Sequence, residues 1–97
     1  MRTFKDSLAE QLKDPEFKKE YDALEAEFTI IQAIIDARKR SGLTQKQLAI
    51  KTGISQGDIS KLERGTANPS IKTMNRLAIG MGMKLKVDFV SQKKRAN

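Results

Sequence analysis

The stretch Leu43 to Gly65, LTQKQLAIKTGISQGDISKLERG, reads as two short helices joined by a tight turn. Thr44 fits an N-cap, and Gln47 three positions on completes a capping box. The first helix is expected to run to about Thr52. Gly53 then supplies the left-handed conformation that ends a helix and that residues with a Cβ resist. Ser55 fits the next N-cap, with Asp58 in the first turn facing the positive helix end. The second helix is expected to end near Arg64, stopped by Gly65. Leu48, Ile54, Ile59 and Leu62 are the apolar points, and Ala49 is small where the two helices must cross. These spacings describe a helix-turn-helix, and a plain helical hairpin used as scaffolding is the competing reading.

Downstream, Thr66 to Pro69 is a loop and Ser70 caps a further helix. Ile71, Met74, Leu77, Ala78 and Met81 fall at helical spacing on its expected core face. Gly80 is unfavourable inside a helix by ~1 kcal/mol relative to alanine, so the helix end is soft between Ile79 and Gly82. Met83 to Val90 alternates. Met83, Leu85, Val87 and Phe89 face one side, and Lys84, Lys86 and Asp88 the other, as in a half-buried β-strand. A lone strand needs a partner strand, so Leu85, Val87 and Phe89 are expected at a pairing surface with a second copy or another protein. Ser91 to Asn97 is a basic tail.

Upstream, Phe4, Leu8 and Leu12 form one stripe of a short helix that Thr3 caps. Asp14 and Pro15 restart the pattern as cap and first helical residue. Phe17, Tyr21, Leu24, Phe28, Ile31 and Ile35 then follow at steps of four and three. One long helix to about Arg40 fits this stripe. Two helices with a bend near Ala26 to Thr29 fit it as well, because a second stripe, Ile30 and Ile34, opens there. The bend is the expected form. Ile30, Ile31, Ile34 and Ile35 then make a broad buried face.

The 97 residues suit one small domain with an appendage: a helical extension at 1–27, a helix-turn-helix domain at 28–82, the strand at 83–90 and the tail at 91–97. The net charge of +7 is unevenly spread. Residues 1–27 carry five Lys/Arg against eight Asp/Glu, a balance of −3, and residues 28–97 carry fourteen against four, a balance of +10. The basic part suits phosphate and the acidic part suits a basic protein. There is no cysteine and no histidine, which removes the thiolate ligand, the commonest metal ligand and the commonest general base. Neither an enzyme nor a cofactor or metal site is therefore expected. No signal peptide and no membrane span is expected either, and a cytoplasmic protein is the default.

The motif resembles the helix-turn-helix of the phage-repressor-like XRE family, in Thr44 and Gln45, Leu48 and Ala49, Gly53, Ile59 and Ser60, and Glu63 to Gly65. The stretch LKDPEFKKEYDALEAEF at residues 12–28 is similar to the lead-in of HigA-type antitoxins within that family, which neutralise a RelE-like mRNA endonuclease. The resemblance implies an all-α, phage-repressor-like bundle, to which the residue patterns add an N-terminal helical extension and the one C-terminal strand. It implies a pairing of Arg38 with Glu63, for which a bidentate arginine–carboxylate contact has the right geometry.

It also implies a DNA-binding surface. Ser55, Gln56, Gly57, Ser60 and Lys61 are expected on the recognition helix, with Gln56 suited to read adenine. Asp58 is expected to cap that helix or accept from cytosine. Thr44, Gln45 and Lys46 at the preceding helix end, with Arg64, suit the phosphate backbone. Phe17, Glu20, Tyr21 and Leu24 suit a small basic RelE/HigB-like toxin, although the same stripe is able to pack on the chain's own first domain helix. The implied protein is an antitoxin that represses its own operon as a homodimer on palindromic operator DNA. A free-standing XRE-type repressor and a helical adaptor without a nucleic-acid role are the alternatives.

Overall fold

The computed structural model describes residues 3–91. Five helices follow one another: α1 (Phe4–Gln11), α2 (Pro15–Arg40), α3 (Gln45–Thr52), α4 (Gln56–Arg64) and α5 (Ile71–Gly80). Their starts lie where short polar side chains cap exposed N–H groups. The Thr3 and Thr44 hydroxyls accept from the backbone N–H of Asp6 and Gln47, and both close a capping box. Asp14, Ser55 and Ser70 cap α2, α4 and α5 in the same way. Gly53 and Gly65 close α3 and α4 with φ near +77° and +79°, a conformation that costs a residue with a Cβ.

The expected division of this segment into two helices is absent. A single 26-residue helix runs from Pro15 to Arg40, roughly 39 Å at 1.5 Å per residue. Nothing from Ala26 to Thr29 breaks its hydrogen-bond ladder. The Thr29 hydroxyl folds back and donates to the Glu25 carbonyl at 2.9 Å, satisfying itself without opening the turn.

The core is small and lies where α2, α3, α4 and α5 meet. Ile34, Leu48, Ile54, Ile59, Leu62 and Leu77 form it, with Leu43, Ala49, Ala67 and Met81 packed at its edge. Leu48, Ile59 and Leu77 are fully buried, each contributing ~1.5–3 kcal/mol. The broad isoleucine face is narrower than expected. Ile34 alone is buried, Ile31 and Ile35 are half-buried, and Ile30 is exposed. Ile71 is exposed too, because it opens α5 one turn ahead of the half-buried Met74. Gly80 is a contact residue rather than a soft spot: a Cβ there would run into the Thr52 methyl of α3.

The expected β-strand at 83–90 does not form, and the described residues contain no strand. A ladder needs a second strand, and no described segment supplies one. The Met83 N–H instead donates to the Ala78 carbonyl at 2.8 Å, tying the start of this segment to the end of α5. Leu85 is half-buried, whereas Val87, Phe89 and Val90 are exposed. Most of the basic tail, residues 92–97, lies outside the described residues.

Candidate nucleic-acid interface

α4 is the candidate recognition helix, and its outer surface follows from its cap. The Ser55 hydroxyl accepts from the Asp58 N–H at 3.0 Å, so Ser55 is the cap and Asp58 receives it. Gln56 and Gly57 then form the exposed first turn, with Lys61 exposed one turn on. A Cβ at Gly57 would meet nothing nearer than the Ser55 oxygen at 3.9 Å, so internal packing does not require a glycine there. Ser60 is half-buried and accepts from Arg64 Nη1 at 2.7 Å, which folds the Arg64 side chain back along the helix.

The frame holding α4 is ionic. Arg38 Nε donates to Glu63 Oε2 at 2.7 Å and its Nη2 to Oε1 at 2.9 Å, the bidentate pair expected from the sequence. Arg38 Nη1 also donates to the Leu43 carbonyl at 3.0 Å, just before α3. Gln45 Nε2 donates to Glu63 Oε1 at 3.0 Å. One carboxylate therefore holds the ends of α2, α3 and α4 together, with the Arg38 and Glu63 side chains only 14% and 7% exposed.

Burial by itself would push the Glu63 carboxyl up. The hydrogen bonds from Arg38 and Gln45, with the charges of Arg38 and Lys39, outweigh it and hold the group below the usual carboxylate range. Arg38 is correspondingly raised, chiefly by its hydrogen bond to Glu63.

Gln45 is thus half-buried and engaged with Glu63. The Thr44 hydroxyl already accepts from Gln47, while Lys46 stands exposed beside it. Arg76 carries no signal in the sequence pattern. Its Nη2 donates to the Thr52 carbonyl at 2.6 Å, closing the C-terminus of α3 from α5. A cation aimed at a helix C-terminus is favourable, but its 24-residue separation from Thr52 leaves no local pattern to read.

Phe17 and Tyr21 are half-buried and stacked, ring centroids 6.2 Å apart. Glu20 is exposed, and Leu24 is 62% exposed. No group of His, Cys, Asp or Glu able to hold a metal occurs among the described residues, and no described helix is long and apolar enough to cross a membrane.

The helix-turn-helix family profile matches residues 34–87. The chain belongs to this family, in its XRE-type branch, and α3 and α4 are its helix-turn-helix. An uncharacterized HTH-type transcriptional regulator of Haemophilus influenzae is 33% identical over 58 residues, 60% of this chain and 59% of that protein. The uncharacterized HTH-type transcriptional regulator y4dJ of Sinorhizobium fredii is 41% identical over 46 residues, 47% of this chain and 60% of that protein. Antitoxin HigA1 of Mycobacterium tuberculosis is 28% identical over 74 residues, 76% of this chain and 50% of that protein. The chain thus spans between half and 60% of the length of these relatives. No solved structure matches it.

Proposed function

We propose that this chain is an antitoxin of a type II toxin–antitoxin module, which neutralises a small basic RelE/HigB-like mRNA endonuclease and represses its own operon by binding operator DNA as a homodimer. The observation that carries the DNA part is the exposed first turn of α4 on a frame locked by Glu63. Gln56 reads a base edge, and Gly57 permits close approach of the helix. Ser55, Ser60 and Lys61 border the same surface. Lys46 meets phosphate, with Thr44 at the same helix end. Arg64 reaches phosphate by leaving Ser60, and Gln45 acts through its bond to Glu63 as well as by any contact of its own.

The antitoxin part is supported by the length of the match to HigA1. Any 74-residue match in a 97-residue chain takes in residue 24, so the similarity reaches into α2 ahead of the family profile's start at residue 34. Phe17, Glu20, Tyr21 and Leu24 on that helix bind the toxin. Acidic helices block a phosphate-binding enzyme by charge and by bulk. Leu85, Val87 and Phe89 are the self-association contacts. The protein acts in the cytoplasm, without cofactor or catalysis.

The test has two arms. In gel shifts with upstream DNA, Gln56→Ala should lose ~1–3 kcal/mol at the base it reads, while Lys46→Ala should weaken all sequences alike and lower the salt slope by ~1. Equal losses for Gln56→Ala on specific and random DNA would remove its base-reading role. In cells, co-expression should relieve growth arrest caused by the product of the neighbouring gene. Operator binding without relief leaves a free-standing repressor.

A further inference from the structure

The apolar stripe of α2 keeps a strict seven-residue period: Phe17, Leu24 and Ile31 alternate with Tyr21, Phe28 and Ile35 at steps of four and three. A period of 3.5 residues keeps a seam facing one partner helix along its length, with knobs entering holes. The lower end of this seam is used by the domain itself. Ile31 and Ile35 are half-buried, and the Ile31 Cδ1 lies 3.2 Å from where a Cβ of Gly65 would stand. Its middle is open: Leu24 is 62% exposed and Phe28 is 70% exposed.

The charges bordering the seam decide its occupant. Glu20 and Glu27 flank one side and Glu25 the other, all exposed and without an ion pair among the described residues. Lys18, the basic residue at the border, is already bonded to Asp22 at 2.8 Å. A second copy of α2 would set glutamate against glutamate, Glu20 facing Glu25 in a parallel pair and Glu20 and Glu27 facing their counterparts in an antiparallel one. Like charges at these positions select against such pairing.

We infer that the seam from Phe17 to Phe28 docks an amphipathic helix of another protein whose apolar stripe is bordered by lysine or arginine. This deepens the antitoxin reading and rests on it for the partner's identity, the toxin. The docking surface crosses residue 27, so Phe28 belongs to it as well as to the helix that enters the domain.

The test uses the full chain and two synthetic helical peptides of roughly 28 residues, with leucine on the seam and either all lysine or all glutamate beside it. By titration calorimetry the lysine peptide should bind, at least about tenfold more tightly than the glutamate peptide, and more weakly as salt is raised to about 0.5 M. The double variant Leu24→Ser/Phe28→Ser should lose this binding while its thermal melt and gel shift stay unchanged, since both side chains are exposed. Equal binding of the two peptides, or none by the lysine peptide, would overturn the inference. So would loss of self-association in the double variant, which would place a second copy on the seam. Lysine-peptide binding without relief of growth arrest would sink the antitoxin reading and leave the seam standing. Full relief by a double variant that no longer binds the peptide would remove the seam as the toxin's site.

Discussion

Glu63 is the side chain on which the two halves of the motif meet, so its removal should be felt in both stability and binding. Arg38→Ala would leave a nearly buried carboxylate with Gln45 as its main donor, and should cost toward the lower end of about 3–5 kcal/mol in chemical denaturation. The paired replacement Arg38→Met/Glu63→Leu removes both charges and should recover most of that loss. The Glu63 carboxyl is held below its unfolded value, so its contribution is complete above the ordinary carboxylate range and is lost as pH falls through the folded value. The melting-temperature difference between the wild type and Glu63→Gln should therefore be constant near neutrality and shrink in acid. An unchanged difference down to the acid transition would contradict the lowered ionisation. The Arg38–Glu63 pair was legible through the motif's resemblance to a known family. The Gln45 bond was not, because a polar residue at a helix start reads as exposed whichever way it turns.

Among the helices, α5 and α2 differ most from what their patterns suggest. Gly80 reads as a helix weakness until its neighbour is known; in place, it lets α5 cross α3 against Thr52. Gly80→Ala should gain up to ~1 kcal/mol of helix propensity but incur ~1–3 kcal/mol of overpacking, a net destabilisation. Thr52→Ser removes the obstructing methyl and keeps the hydroxyl that donates to Leu48 and accepts from Ile54, so the double variant should regain stability. A single Gly80→Ala variant that melts higher than the wild type would overturn the close-crossing account. The second stripe in α2, Ile30 and Ile34, suggests a break into two helices. It marks instead where one continuous helix passes from open surface into the core, since Ile34 is buried and Ile30 is not.

At the scale of the whole molecule, operator binding as a dimer sets the recognition helices about one DNA turn apart, ~34–36 Å. Val87 and Phe89 are 66% and 97% exposed, so Val87→Asp/Phe89→Asp should leave the fold intact. Sedimentation should then show a monomer, with weaker binding to a palindromic site and near-normal binding to a half-site. A dimer that survives both substitutions would exclude these contacts. The sequence by itself determined where each helix begins and where α3 and α4 end, because caps and left-handed glycines act within about four residues along the chain. It also carried the alternation of the 83–90 segment, but alternation marks two faces and does not supply a strand to pair with. Tertiary structure alone decided that this segment has no ladder, that Gln45 turns inward, that Arg76 closes α3, and which part of the α2 stripe stays open. Each of these depends on a neighbour distant in sequence or on the absence of one, and no local pattern of residues encodes that distance.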